Sequence, residues 1–304
     1  MWVKITYYMK PKLLVLGGSG LVGSNFINSS KTNYDIIFSY NSNKIKIPNT
    51  QSFQIDLLGD DKIEKIIENY NPDIVLHTIA HSSVDLCETD HNIADRLHIN
   101  TTTKIANVCK SINSKLIFLS TDAVFEGQLN KQYCETDTPN PINYYGKTKL
   151  EAEKIVLSAS PNNVVLRTAV IYGWHKKSRF TNWILDYLKN GKSVDPFSDQ
   201  FNTPTLVDDL VQVILKIIDK NISGLYHATG KTCLNRYQFA ILLAEKFSYD
   251  ISLIRSVTKL EKKQNAPRPI STCLDSTKLE NVLNFSFSDI SAGIDFIFNK
   301  SKIN

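Results

Sequence analysis

No apolar run in the 304-residue sequence approaches the roughly 18 residues that a membrane span requires. The opening MWVKITYYMKPK lacks the apolar core and cleavage site of a secretory signal. A cytoplasmic protein with no membrane partner is expected. Cysteine is sparse and scattered, at Cys87, Cys109, Cys134, Cys233 and Cys273, with no Cys-x-x-Cys pair. Such an odd set predicts reduced thiols rather than a disulfide framework or a zinc site, and no metal is expected. A G-x-x-x-x-G-K-[ST] loop is missing, which excludes a P-loop ATPase. Charge of one sign is also missing: the net charge is +5 and lysine is spread along the chain, so no nucleic-acid partner is expected. The mild positive balance suits an anionic cofactor or substrate. No internal repeat or low-complexity segment is present.

What is present is alternation. Short buried-strand patterns occur at KLLVLGG (12–18), YDIIFSY (34–40), DIVLHTIA (73–80), KLIFLST (115–121) and NVVLRTAVIYG (163–173). Helical patterns fall between them at 21–30, 61–70, 92–111 and from Tyr144 onward. Buried strands separated by helices predict an α/β fold with a Rossmann-type, doubly wound parallel sheet. After Gly173 the alternation weakens, with helices expected at 179–192, 206–220 and 235–247 and a short strand at 224–230. This reads as a cofactor domain of residues 1–172 and about 203–228. A smaller interleaved α/β substrate domain takes about 173–202 and 229–304.

GGSGLVG (17–23) sits between the first strand and the first helix and satisfies both G-x-G-x-x-G and G-x-x-G-x-x-G. Glycine there permits a tight turn and close approach of backbone amides to a pyrophosphate at a helix N-terminus. The cofactor-facing set is Gly17, Gly20, Leu21, Val22 and Gly23. The second strand ends in SYNSNK (39–44), with no acid to hold a ribose 2′-hydroxyl. Ser39, Asn41, Ser42 and Lys44 suit a 2′-phosphate instead, so NADPH is favoured over NADH; the alternative is a plain polar loop. Asp56 and Leu57 are candidates to meet the adenine.

Tyr-x-x-x-Lys occurs four times, and the spacing aligns two side chains only on a helix. Tyr8/Lys12 contains Pro11, Tyr40/Lys44 lies in a loop composition, and Tyr172/Lys176 contains Gly173. Only YYGKTKLEAEKIVLSA continues as a helix, and only Tyr145 in it has a lysine four residues on, Lys149. Ser120 and Thr121 close the fourth strand, where doubly wound sheets bind ligands; a turn cap explains them equally well taken alone. A hydroxyl, a tyrosine acid and a lysine that stabilises tyrosinate form the set that ketone reduction needs.

With GGSGLVG, STDAVFEG, YYGKTKLEAE, LRTAVIYG, DQFNTPT, GLYHATG and APRPISTCLD in this order, the chain resembles the dTDP-4-dehydrorhamnose reductase family of extended short-chain dehydrogenase/reductases. The resemblance implies reduction of the C4 ketone of a nucleotide-diphosphate 4-keto-6-deoxysugar, with a homodimer as a possible assembly. It implies catalytic roles for Thr121, Tyr145 and Lys149, with the last two also on the cofactor, and places Ala80 and His81 along it. Thr121, Asp122, Val170, Asp199, Gln200 and Thr205 are implied on the substrate side; Arg268, between the prolines of APRPIST, is a candidate for a substrate phosphate through its planar fork, the alternative being a surface loop arginine. Three positions depart from the pattern: Asn202 replaces a glycine, Val170 a tryptophan and Ala123 a common tyrosine. Asn202 is expected to keep the loop by tolerating positive φ. Asp122 followed by Ala123 lacks the acidic pair of 4,6-dehydratases. Two alternatives stay open: an NADP-binding regulatory subunit of the methionine adenosyltransferase type, and a nucleotide-sugar 4-epimerase. Trp183 is read as core of the small domain, and Asn100 either as a helix-kinking residue near the site or as surface.

Overall fold

The structure, a computed structural model, describes residues 10–59 and 62–303. Tyr8 and Asp61, at the edges of the patterns above, lie outside the described residues. The chain begins β1 (Lys12–Leu16), α1 (Leu21–Ser30), β2 (Asp35–Tyr40), β3 (Gln51–Gln54), α2 (Ile63–Tyr70) and β4 (Ile74–His77). It continues with α3 (Val84–Thr89), α4 (His91–Ala94), a π-helical turn over Asp95–Asn100, α5 (Thr101–Ser111), β5 (Lys115–Thr121) and α6 (Tyr144–Ala159). Then come β6 (Val164–Thr168), β7 (Ile171–Tyr172), α7 (Arg179–Lys189), β8 (Phe201–Asn202), β9 (Thr205–Leu206) and α8 (Val207–Asp219). The last elements are β10 (Gly224–His227), β11 (Leu234–Asn235), α9 (Arg236–Lys246), α10 (Thr277–Leu283) and α11 (Ile290–Ser301).

Seven strands form one sheet in the order β10-β6-β5-β4-β1-β2-β3, and every neighbouring pair is parallel. The order reverses between β1 and β4, which opens a crevice at their carboxyl ends. β1 shows why its sequence is an unbroken apolar run. Leu13 and Val15 pack with Phe26, Leu210 and Leu283 on one face; Leu14 and Leu16 pack with Ile67, Ile105 and Val156 on the other. A strand covered by helices on both faces has no solvent side to alternate toward. Each such side chain contributes about 1.5–3 kcal/mol by leaving water. A third cluster, around Tyr172, Ile184, Phe239 and Ile294, forms the core where α7, α9 and α11 meet.

Four expectations need correction. β3 was not foreseen, because Gln51–Gln54 is an exposed edge strand with almost no buried side chain to mark it. The helix expected over 92–111 is interrupted by the π-helical turn. The strand expected over 163–173 breaks at Val170, which takes φ +42, a strained value for a β-branched residue. Thr205 holds the break, since its amide and hydroxyl donate to the carbonyls of Val170 (3.3 Å) and Ala169 (2.8 Å). Lastly, Cys233 and Cys273 are joined as a disulfide across 40 residues, while Cys87, Cys109 and Cys134 are free. Phe201 of β8 pairs with Asn235 on one side and Ser271 on the other, so both cysteines flank one strand; sequence distance hid this.

Candidate active site

A cavity of about 1130 Å³ follows the crevice from the glycine loop to the small-domain elements. At its cofactor-shaped end Gly17 has φ +88, and a Cβ there would stand 2.6 Å from Thr78 Oγ1. A Cβ on Gly23 would collide with the Gly17 carbonyl, so Gly23 acts by letting α1 close on the loop rather than by lining the cavity. Gly20 caps α1 without a side-chain bond, leaving the first amides of that helix, Leu21 and Val22 included, as the kind of anion site a dinucleotide uses. Gly17, Gly20, Leu21, Val22, Ser39, Asn41, Asp56, Leu57, Ala80 and His81 all line the cavity. Ser39 has a second duty: its buried hydroxyl accepts from Gly17 N (3.0 Å) and its carbonyl from Gly18 N (2.9 Å), pinning the loop to β2. Ser42 and Lys44 are not among the lining residues; Asn43 is.

The catalytic candidates come together at the other end of β5. Asn143 starts α6 by accepting from Gly146 N (2.8 Å), and a Cβ on Gly146 would collide with the Ala123 carbonyl. The helix therefore lies directly on the 121–123 backbone and brings Tyr145 to Thr121. Tyr144 is occupied elsewhere: its ring stacks on His91 at 3.6 Å and its hydroxyl donates to Asp95 (2.9 Å). Burial pushes the Tyr145 phenol above its ordinary pKa; a hydrogen bond with Thr121 and the Arg268 charge pull it back, while Asp122 pushes it up. Lys149 is buried, and its ammonium donates to the Leu119 carbonyl (2.7 Å) and lies 3.8 Å from the Phe118 ring centre. Burial brings its pKa down to about 7, against Glu153, which raises it. The Lys149 ammonium is turned toward the Leu119 carbonyl of β5, and Arg268 is the cation whose charge lowers the Tyr145 pKa.

Asp122 is enclosed by donors. Its Oδ1 accepts from Thr121 Oγ1 (3.0 Å), and its Oδ2 accepts from Asn202 Nδ2 (2.6 Å) and Thr272 Oγ1 (2.5 Å). Burial raises its pKa, while these bonds and Arg236 lower it. Asn202 thus replaces glycine for a reason other than the one expected: it is extended in β8 rather than at positive φ, and its amide grips Asp122. Behind the site Arg167 and Glu153 form a buried ion pair (2.7 Å) that also accepts from Ser120 (2.5 Å), tying β5, β6 and α6 together.

On the substrate side Val170, Gln200 and Arg268 line the cavity, whereas Asp199 and Thr205 do not. Asp199 accepts from Lys259 N (2.9 Å), and Thr205 clamps the break at Val170. Trp183 packs on the small core, as read, and also lines the cavity. Asn100 is exposed; the buried members of the π-helical turn are Leu97, which lines the cavity, and His98, which packs behind Tyr145. Arg236 escaped the sequence reading altogether. It opens α9, its guanidinium lies 5.2 Å from the Phe180 ring centre, and its Nε is buried without a partner, as is Arg268 Nε. His77 and His81 are four residues apart, a metal spacing on a helix, but one ends β4 and the other lies in the loop beyond it. Among the described residues no helix is long and apolar enough to cross a membrane.

A family model described as RmlD substrate binding domain matches residues 10–302. Over 247 residues the chain is 30% identical to a dTDP-4-dehydrorhamnose reductase of Aggregatibacter actinomycetemcomitans, covering 78% of this chain and 84% of that protein. It is also 31% identical over 237 residues to methionine adenosyltransferase 2 subunit beta of Rattus norvegicus, with 75% and 70% covered. Among solved structures, dTDP-4-dehydrorhamnose reductase of Bacillus anthracis in complex with NADP superposes with a TM-score of 0.86 over 96% of this chain and 100% of that one. At 23% identity that likeness is one of fold.

Proposed function

The chain belongs to the family of the RmlD substrate binding domain, and from that premise we propose that it is an NADPH-dependent reductase of the C4 ketone of a nucleotide-diphosphate 4-keto-6-deoxysugar. The observation that carries the reading is the Thr121–Tyr145 hydroxyl pair in the same cavity as the glycine loop, with Lys149 buried one helical turn on. The residues present fit the dinucleotide. The Gly17–Gly23 cradle has no room for side chains, the α1 amides suit the pyrophosphate, and His81 Nδ1 is buried without a protein partner on the cavity wall. Asn41 and Asn43, in a 39–44 segment that holds no acid, suit a 2′-phosphate.

Bound NADPH supplies the hydride to C4. The rest of the chemistry belongs to side chains. Tyr145, kept protonated by burial, gives its proton to the oxygen that develops charge at C4. Thr121 orients that oxygen, and its own hydroxyl is held by Asp122. Arg268 and Lys149 supply the positive charge that a tyrosinate left after proton transfer requires. Arg268 and Arg236, each with an unpartnered Nε, suit the acceptor-rich sugar diphosphate. In this division, residues 10–172 and about 203–228 hold the cofactor, and about 173–202 and 229–303 the sugar nucleotide. A cytoplasmic homodimer completes the proposal; sizing in solution tests the assembly.

The deciding assay follows NADPH consumption with enzymatically prepared dTDP-4-keto-6-deoxyglucose and with its UDP and GDP counterparts. Turnover that requires a 4-keto sugar supports the reading. NADPH binding without turnover on any of them, together with co-purification of a methionine adenosyltransferase catalytic subunit, would replace it with the regulatory reading. Interconversion of sugars without net NADPH loss would replace it with an epimerase.

A further inference from the structure

His98 lies in the π-helical turn over Asp95–Asn100, buried behind Tyr145. Both of its ring nitrogens are engaged. Nε2 stands 2.9 Å from the backbone amide of His81, which can only donate, so Nε2 is the bare nitrogen. Nδ1 must then carry the hydrogen, and it faces Thr148 Oγ1 at 2.8 Å. Thr148 donates its own hydroxyl hydrogen bond to the Tyr145 carbonyl (3.0 Å), which closes the chain of donors without conflict. The ring also stands edge-on to the Tyr145 phenol, with centroids 5.5 Å apart and planes at 82°. Burial and the nearby Lys149 charge keep His98 neutral, with a pKa near 3, so the tautomer survives across the working pH range.

One imidazole thus touches two parts of the site that no covalent turn joins. One contact is the His81 backbone amide on the cofactor side of the cavity; the other is Thr148 of α6, whose hydroxyl holds the Tyr145 carbonyl one turn back. We infer that His98 is a positioning residue for the reduction, a strut whose Nε2 arm sets the Ala80–His81 loop against the cofactor and whose Nδ1 arm sets the phenol of Tyr145. A widened turn is a common way to re-aim one residue of a helix at a functional site, and here it delivers His98 to the gap between loop and α6. The inference rests on the reductase reading, but its cofactor arm is measurable without any sugar.

The two arms separate by substitution. His98→Gln keeps an acceptor near the Nε2 position and loses the donor to Thr148. His98→Asn keeps a donor near Nδ1 and leaves the His81 amide unpaired. Losing one buried hydrogen bond costs about tenfold in the step that depends on it. His98→Asn is expected to weaken NADPH binding, read by quenching of protein fluorescence, about tenfold while kcat stays within about threefold. His98→Gln is expected to bind NADPH like the wild type and to lose about tenfold in kcat. Thermal melts of all three proteins accompany the kinetics. Equal losses of affinity and kcat in both variants, in step with their melting temperatures, would overturn the inference in favour of plain packing. So would wild-type behaviour in both. If the wild type reduces no sugar, the parent reading fails on its own, and the NADPH affinities of the two variants still decide the cofactor arm.

Discussion

The two ends of the cavity are built from different materials. At the cofactor end the functional surface is backbone: glycines that leave no room for a Cβ, open amides at the start of α1, and Ser39 holding the turn. At the end proposed for the sugar it is side chains borrowed from distant segments. Asp122 is held by Asn202 and Thr272, Arg236 comes from the start of α9, and Arg268 is paired to Asp85 (2.8 Å). A backbone cradle tolerates almost no substitution but reads almost no sugar chemistry. A side-chain wall can be rebuilt residue by residue, as the loss of a glycine at Asn202 illustrates.

The sharpest way to break the comparison is at the proposed catalytic pair between the two ends. Tyr145→Phe removes the proton donor and little else, so kcat should fall about 10²–10⁴-fold with NADPH affinity unchanged. Retained turnover would remove Tyr145 from its role. Next in size is Gly17→Ala at the backbone end. A methyl group in the left-handed region, pressed on Thr78, should weaken NADPH binding more than about tenfold by equilibrium titration. The sugar KM, measured at saturating NADPH, should change far less.

At the side-chain end the expected effect is smaller and opposite in kind. Asn202→Gly removes one of the two donors to Asp122 Oδ2 and should cost about three- to tenfold in kcat/KM for the sugar, with NADPH affinity intact. An equal loss in NADPH affinity would mean that the two ends are not separable. Smaller again is a pH effect. The Lys149 pKa is depressed to about 7, so its ammonium is full below that value and lost above it in the free enzyme. kcat/KM should therefore decline as pH rises through about 7, and Lys149→Arg should lack that limb. The linkage for stability has the reverse sign. Between about 7 and the ordinary lysine value the unfolded chain binds the extra proton, so this group makes stability rise with pH there. Least consequential for activity is the thiol count. Alkylation of the denatured, unreduced chain should label three cysteines, and five after reduction.

Much of the backbone end was legible in advance, because its signals are local. A glycine pattern between a strand and a helix carries its geometry within seven residues, GGSGLVG. Tyr145 was separable from Tyr144 because only one of them has a lysine a helical turn away. The side-chain end was legible only in outline. Arg236 lies in an ordinary helix start, LNRYQF, and nothing nearby in sequence marks its guanidinium as facing a cavity. Asp199 and Thr205 sit in a recognisable loop, yet one caps Lys259 and the other clamps a strained strand break. Lys149 was legible by its spacing from Tyr145, but nothing local marks the Leu119 carbonyl that its buried ammonium takes.

By itself the sequence determined the parallel sheet, the glycine loop at its crevice and the register of α6, since each follows from periodicity and turn chemistry within one segment. Tertiary structure alone decided the Cys233–Cys273 bond, the Asp122–Asn202–Thr272 clasp, the convergence of Arg236 with Arg268, and the strut at His98. Those contacts join residues tens of positions or more apart or, at His98, turn one buried ring between two segments. Their partners are chosen by how the helices and the small strands close over the sheet, which no local pattern encodes.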